Sequence, residues 1–274
     1  MIARSWLFAP GDNPRLLEKA FEVGADQVIL DLEDGVAAGN KEVARRGIAE
    51  RLRTASAWVR VNRAGSEECA RDLDVVGAFA KGIRMAKVES AEEVRWVADR
   101  APRVPIVCGI ESARGLFAAR EVARVERVEN LSLGGADLTA ELRCGDGPME
   151  LLHARSTLVM ASAEAGIDPP IDRVYMDLRD HAGLAAEAEH SSRLGFGGKS
   201  AVHPRQLEAI NAAFGPDEAS VAWAREVLEA ARRAAGGPAQ LEDGSFVDAP
   251  VYQRAAELLA LAGVEPSSVD SVEP

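Results

Sequence analysis

Short apolar runs recur along the chain, and each is followed by a stretch whose apolar positions repeat at helical spacing. The runs are Arg4–Ala9 (RSWLFA), Gln27–Leu32 (QVILDL), Trp58–Asn62 (WVRVN), Gly82–Val88 (GIRMAKV), Ile106–Glu111 (IVCGIE), Glu129–Asp137 (ENLSLGGAD), Ile171–Met176 (IDRVYM) and Phe196–Val202 (FGGKSAV). Their length and content predict eight buried strands. Helices are predicted over Leu16–Val23, Lys41–Arg53, Glu67–Phe79, Ala91–Arg100, Gly115–Val125, Glu150–Ala165 and His181–Leu194, with one more after Pro204. Pro10-Gly11-Asp12-Asn13-Pro14 is a turn running into a helix start. The strand–helix steps have a near-constant length, except for a long one after Asp137 that would hold an enlarged loop. Such a series predicts an α/β fold of the (β/α)8 TIM barrel type. A doubly wound open sheet is the alternative, but the chain has no clear Gly-rich dinucleotide turn.

Gly215-Pro216 interrupts this pattern. Asp217–Ala235 is amphipathic, with Val221, Ala224, Val227, Leu228 and Ala231 on one face. Gly236-Gly237-Pro238 ends it, LEDGSFVDAPV reads as a loop or hairpin, and a last helix runs from about Pro250 to Leu261. The expected organisation is a barrel over residues 1–215 and a C-terminal helical extension over 216–274, serving as a lid or as an arm onto a neighbouring subunit. The Pro/Ser/Glu-rich tail is expected to fray.

The 274 residues suit one such barrel domain. Hydrophobic residues make up 47% but aromatics only 5%. The core is therefore built from Ala, Val, Leu and Ile, which fits a parallel sheet sheathed in helices. A formal net charge of −12 without a long basic run argues against nucleic acid and anionic membrane as partners. An anionic substrate would need a local cationic pocket against that field. Cys69, Cys108 and Cys144 have no CxxC spacing, which argues against a disulfide scaffold or zinc site and for a reducing, cytoplasmic setting. The opening MIARSWLFAPGDNPR does not read as a signal peptide, and no run approaches the ~18 apolar residues of a membrane span.

The candidate chemistry gathers at strand ends. Glu111 and Asp137 stand just past the fifth and sixth strands. Parallel neighbours point the same way, so the two carboxylates would meet in space. A small set of oxygen ligands suits Mg2+. Taken singly, each acid reads first as a helix cap; the pairing, with Gly109, Gly134 and Gly135 around it, shifts the reading toward a metal. Arg60 lies inside a short apolar strand, where a guanidinium needs an anion. Asp31, Glu33 and Asp34 cluster after the second strand. The constellation holds more carboxylates than one arginine balances, which implies a cation with further residues orienting water and Arg60.

Other motifs are weaker. GFGGKS (Gly195–Ser200) fails as a phosphate loop, because Arg193 stands where the motif needs glycine. Its glycines are better explained by close packing at the strand entrance. Lys87 could be a Schiff-base lysine, but an ion-paired lysine is the favoured reading. His203 before Pro204 reads as a base or as structural, and Cys108 as core.

RSWLFAPGD, LDLEDGV, VRVN, AKVES, CGIESARG, GGADL and AVHPRQ occur in that order. Together they resemble the citrate lyase β-subunit family within the HpcH/HpaI aldolase and malyl-CoA lyase group. The resemblance spans Arg4 to about Pro250. It implies a Mg2+-dependent barrel that cleaves or forms a C–C bond in a 3-hydroxyacyl-CoA of citryl-, malyl- or citramalyl-CoA type, with acetyl-CoA and a 2-oxo acid as the other side of the reaction. It further implies Glu111 and Asp137 as metal ligands, and Arg60 with Glu111 at the substrate. The coenzyme A thioester would lie against Pro10, Gly11 and Arg15. Asp248, in FVDAP, would act as acid/base in a neighbouring subunit's site, within a homotrimer or hexamer. A water held by Glu33 and Asp34 is the other candidate for moving the proton. Ala86 replaces a proline common in the family, and the chain is shorter than malyl-CoA lyases. Two other readings stay open: a metal aldolase for free 2-oxo acids without CoA, and a non-catalytic barrel scaffold, against which Arg60, Glu111 and Asp137 weigh.

Overall fold

The computed structural model describes residues 2–264. The apolar runs form β1 (Ser5–Pro10), β2 (Gln27–Asp31), β3 (Trp58–Val61), β4 (Gly82–Met85), β5 (Ile106–Ile110), β6 (Val128–Leu133), β7 (Ile171–Asp172) and β8 (Gly198–Ala201). Each pairs in parallel with the next, and β8 closes onto β1 through Ser5↔Lys199, Trp6↔Ser200 and Leu7↔Ala201. The closed barrel excludes the open-sheet alternative.

The surrounding helices are α1 (Pro14–Lys19), α2 (Lys41–Arg51), α3 (Glu67–Val76), α4 (Ala91–Arg100), α5 (Ala113–Ala123), α6 (Gly135–Leu142), α7 (Leu152–Ala165), α8 (His181–Leu194) and α9 (Leu207–Ala213). Three of them start with the same device: the hydroxyls of Ser66, Ser90 and Ser112 accept from the amides of Cys69, Glu93 and Gly115. Such caps satisfy amides that have no partner within the helix.

The barrel interior is layered. Trp6, Ile29, Trp58, Val107 and Ile171 form a buried apolar cluster, with the two indoles edge to face at 5.2 Å. Gly82 makes room for Trp58, since a Cβ there would lie 2.3 Å from its ring. Side chains two positions along a strand face the same way. The next layer is therefore Phe8, Asp31, Arg60 and Arg84, and it is polar. The apolar layer forms a dry floor under the charged one.

Two placements differ from the sequence expectation. The alternation through Met176 predicts a long seventh strand, but β7 ends at Asp172. Beyond it the Tyr175 carbonyl accepts from Gln206 Nε2 at 2.7 Å, so this backbone is tied to a side chain rather than to a neighbouring strand. Asp137 is not at a strand end but in the first turn of α6, where a carboxylate is favoured by the helix dipole. The long step after β6 is made of α6, a loop and α7.

On the outer face of β7 and β8 lies a buried ionic cluster. Asp172 accepts from Arg155 Nε at 3.1 Å, Lys199 Nζ at 2.7 Å and Ser191 Oγ at 2.7 Å, and Lys199 also donates to Glu187 at 2.6 Å. Burial alone would raise the Asp172 carboxyl, but Lys199 and Arg155 outweigh it and hold the group well below the usual range. The lysine of GFGGKS thus ties α7 and α8 to the barrel. Gly198 packs on the backbone just ahead of β1, where a Cβ would meet the Arg4 carbonyl at 2.6 Å.

The chain divides between Asn211 and Ala212, inside α9 and ahead of Gly215-Pro216. The second unit contains α10 (Glu218–Arg233), a hairpin of β9 (Ala239–Gln240) and β10 (Phe246–Val247), and α11 (Ala249–Leu261). Its own core gathers Ala224, Val227, Leu228, Leu241, Val247, Ala255 and Leu259. The tail expected to fray lies outside the described residues. Among the described residues no helix is long and apolar enough to cross a membrane.

Candidate active site

The C-terminal ends of the strands surround a cavity of about 410 Å³, lined among others by Phe8, Pro10, Asp31, Arg60, Arg84, Glu111, Gly134, Asp137 and Arg173. This is the face on which (β/α)8 enzymes place their chemistry.

The LDLEDGV turn is built around Asp31. Its carboxylate accepts from the amides of Glu33 and Gly35, both at 2.9 Å. It also accepts both arms of Arg60, Nε at 2.7 Å and Nη2 at 2.6 Å, a bidentate pair that holds the guanidinium in one plane. Arg60 Nη1 lies 3.3 Å from Glu33, and the guanidinium carbon sits 4.7 Å from the Phe8 ring centroid. Lys87 completes the cluster, donating to Glu33 at 2.5 Å and to Asp34 at 3.0 Å. Burial would lower the Lys87 ammonium, but those two carboxylates outweigh it and raise it. Lys87 stays charged, which bears out the ion-paired reading over a Schiff-base nucleophile.

Glu111 and Asp137 come together at the mouth. Glu111 is half-buried and Asp137 exposed. Burial, and then the hydrogen-bonding contact with Asp137, push the Glu111 carboxyl up to about 7. Gly134 and Gly109 cradle it: a Cβ on Gly134 would lie 2.2 Å from Glu111 Cγ, and one on Gly109 would lie 2.5 Å from Glu111 Oε1. The observed donor set, two adjoining carboxylates at an open cavity, fits a hard divalent cation that keeps water or substrate oxygens as its remaining ligands. Among the described residues no group of three or more His, Cys, Asp or Glu is arranged for a metal.

Two arginines in the wall were not singled out from the sequence. Arg84, next to Arg60 in the strand register, is 93% buried by its 7% exposure. Burial, and then Arg60, lower its guanidinium to about 10. Arg173 donates to Glu187 and to the Asp146 carbonyl at 2.8 Å, and its stem covers Gly135 at the start of α6. The signal for both was the one read at Arg60, an arginine adjoining or inside a short apolar strand.

The remaining candidates fall as follows. Pro10 ends β1 at the cavity. The Gly11 amide donates to the Asp31 carbonyl at 2.9 Å, and a Cβ there would meet Ile48 Cδ1 at 2.7 Å. Arg15 is exposed on α1. Asp248 belongs to the second unit, at the start of α11, where its side chain makes no capping hydrogen bond. His203 caps a 3-10 turn, its Nδ1 accepting from the Arg205 amide at 3.1 Å, so the structural reading describes it. Cys108 is fully buried.

Residues 4–204 match the profile of the HpcH/HpaI aldolase/citrate lyase family. The citrate lyase subunit beta of Escherichia coli K12 is 36% identical, with 94% of this chain and 93% of the relative aligned. A (3S)-malyl-CoA thioesterase of Cereibacter sphaeroides is also 36% identical, with 94% of each chain covered. The crystal structure of CitE from Mycobacterium tuberculosis in complex with magnesium, acetoacetate and coenzyme A is 34% identical, covers 96% of this chain and 98% of its own, and superposes with a TM-score of 0.83. By sequence and by fold, this chain belongs to the HpcH/HpaI aldolase/citrate lyase family.

Proposed function

We propose that this lyase is Mg2+-dependent and acts on a 3-hydroxyacyl-CoA thioester of citryl-, malyl- or citramalyl-CoA type. It releases acetyl-CoA and a 2-oxo acid, or runs the reverse condensation. The observation that carries this reading is the Glu111–Asp137 pair, two carboxyl groups in contact at the cavity that Arg60 also lines. Relatives support it: CitE of Mycobacterium tuberculosis was crystallised with magnesium and oxaloacetate, and with magnesium and pyruvate.

Glu111 and Asp137 would hold the ion. Bound there, it would supply Lewis-acid stabilisation to the oxygen that becomes the ketone of the 2-oxo acid. Arg60, locked by Asp31, presents a pre-oriented cation to the thioester oxygen as negative charge develops on it. A base removes the hydroxyl proton, the bond between the carbinol carbon and the carbon α to the thioester breaks, its electron pair forms the thioester enolate, and the α-carbon is then protonated to give acetyl-CoA. Asp248 of a neighbouring subunit, or a water held by Glu33 and Asp34, moves these protons. The thioester lies along Pro10, Gly11 and Arg15. A cytoplasmic homo-oligomer, a trimer or a hexamer, belongs to the same reading, with the second unit as lid or arm.

The test is direct. Purified protein is incubated with citryl-CoA, malyl-CoA and citramalyl-CoA, with Mg2+ or with EDTA, and the thioesters are separated chromatographically. Acetyl-CoA together with a 2-oxo acid, in Mg2+ only, is expected for one substrate. Free CoA without acetyl-CoA would mean thioester hydrolysis instead. Turnover that survives EDTA overturns the metal assignment.

A further inference from the structure

Four arginines among the described residues are buried: Arg45, Arg84, Arg155 and Arg173. Three sit on carboxylates. Arg45 donates to Asp72 at 2.7 Å, Arg155 to Asp172 at 3.1 Å, and Arg173 to Glu187. Arg84 does not. Its Nη2 donates to Ser200 Oγ at 3.3 Å, and its Nη1 is buried with no partner among the described residues. A charged group in that position is costly unless an anion joins it.

The position says which anion fits. Arg84 stands on β4 and reaches Ser200 on β8, the strand diametrically opposite in the closed barrel. Its guanidinium carbon lies 5.0 Å from the Phe8 ring centroid. It therefore crosses the barrel at the base of the cavity, beneath Glu111 and Asp137 and beside Arg60. Arg60 is already committed to Asp31 and Glu33 and Arg173 to Glu187, so among the described arginines lining the cavity it is Arg84 that has no carboxylate hydrogen-bonded to it. A planar guanidinium with one free arm at the closed end of a barrel matches a single carboxylate on a short molecule.

We infer that Arg84 receives a second carboxylate of the 2-oxo acid, so that the oxo-acid half of the substrate is a dicarboxylate. This rests on the lyase reading above and narrows it. A dicarboxylic acid such as oxaloacetate places one carboxylate with the metal pair and the other on Arg84. A monocarboxylic acid such as pyruvate leaves Arg84 unpaired. Arg84 is then a specificity residue, and its buried, unpartnered Nη1 is the donor that the second carboxylate takes.

The experiment compares fresh oxaloacetate with pyruvate, which differ by that carboxylate alone. Calorimetric titrations are run in Mg2+ on the full chain, on Arg84→Met and on Arg84→Lys. The unmodified protein is expected to bind oxaloacetate at least about tenfold more tightly than pyruvate, the lower end of what a buried charge pair contributes. Arg84→Met abolishes that preference and leaves pyruvate binding within about twofold, while Arg84→Lys keeps part of the preference because an ammonium lacks the planar fork. The melting temperature of ligand-free Arg84→Met is expected to equal or exceed that of the parent, because an unpaired buried charge has been removed. Equal affinity for both acids in the unmodified protein overturns the inference and leaves the lyase reading standing. So does Arg84→Met weakening both acids alike. If Arg84→Met does not fold, Arg84→Lys with undiminished preference overturns it. Failure of both acids to bind in Mg2+ overturns the Mg2+-dependent reading of the site, and this inference with it.

Discussion

At the residue scale the site is a set of charge pairings made within the barrel mouth. Asp31 orients Arg60, and Lys87 holds Glu33 and Asp34. Glu111 is left against another acid, which is the arrangement a cation stabilises. Glu111→Ala is therefore expected to abolish Mg2+ binding in calorimetry and to lower turnover on the order of 10³-fold, about 4 kcal/mol. Unchanged turnover would remove Glu111 from the mechanism. Gly134→Ala tests the same carboxylate by steric means. A methyl 2.2 Å from Glu111 Cγ must displace it. Magnesium binding should weaken more than tenfold, while an overpacking cost of about 1–3 kcal/mol appears in urea unfolding. That Arg60, Glu33, Asp34, Glu111 and Asp137 gather at one end of the barrel was readable from the sequence, because each lies within or shortly after an apolar run. Arg84 and Arg173 interrupt or adjoin such runs too, yet their meaning depends on whether an acid lies nearby, and that is a property of the folded barrel.

At the element scale, β7, β8, α7 and α8 are joined by charge as well as by apolar contact. Asp172 carries Arg155, Lys199 and Ser191 in the interior. Asp172→Asn leaves two buried cations short of an anion and is expected to cost about 3–5 kcal/mol in urea unfolding. The pH dependence has a definite sign. The folded carboxyl is depressed below its unfolded value, so its contribution is fully present above pH ~3.9 and is lost as pH falls toward the folded value. Urea midpoints of the parent should decline through the acid range, and those of Asp172→Asn should decline less. Equal slopes would mean that Asp172 does not carry the linkage. The helix starts at Glu67 and Ala91 were legible in the apolar pattern, whereas the next was read at Gly115 and α5 begins at Ala113, behind the Ser112 cap. The early end of β7 was not legible. Val174–Met176 continue the alternation of a strand, and only the distant Gln206 draws the Tyr175 carbonyl away.

For the whole molecule, the consequential residue is Asp248, in the unit that follows the barrel. If it serves a neighbouring subunit, Asp248→Asn melts as the parent does but loses turnover by about 10²–10⁴-fold, the span of acid–base catalysis. Glu111→Ala and Asp248→Asn chains, each inactive, should then recover part of the activity when co-expressed, because a mixed assembly contains some sites with both groups intact. No recovery in mixed assemblies of confirmed composition would place the proton transfer within one chain, on a water held by Glu33 and Asp34.

The order of strands and helices, the barrel class and the family were determined by the sequence itself. Apolar periodicity, serine caps and glycine turns act over a few residues, and a local pattern states them completely. Which charges meet was decided only by the tertiary structure. Closing β8 onto β1 brings Arg84 across to Ser200, and the β2–β3 register sets Arg60 against Asp31, while the approach of Glu111 and Asp137 follows from the β5–β6 pairing that the sequence already implied. Coulomb and hydrogen-bond energies change over an ångström or two. Residues dozens of positions apart acquire such distances only when the register and the closure of the sheet are complete.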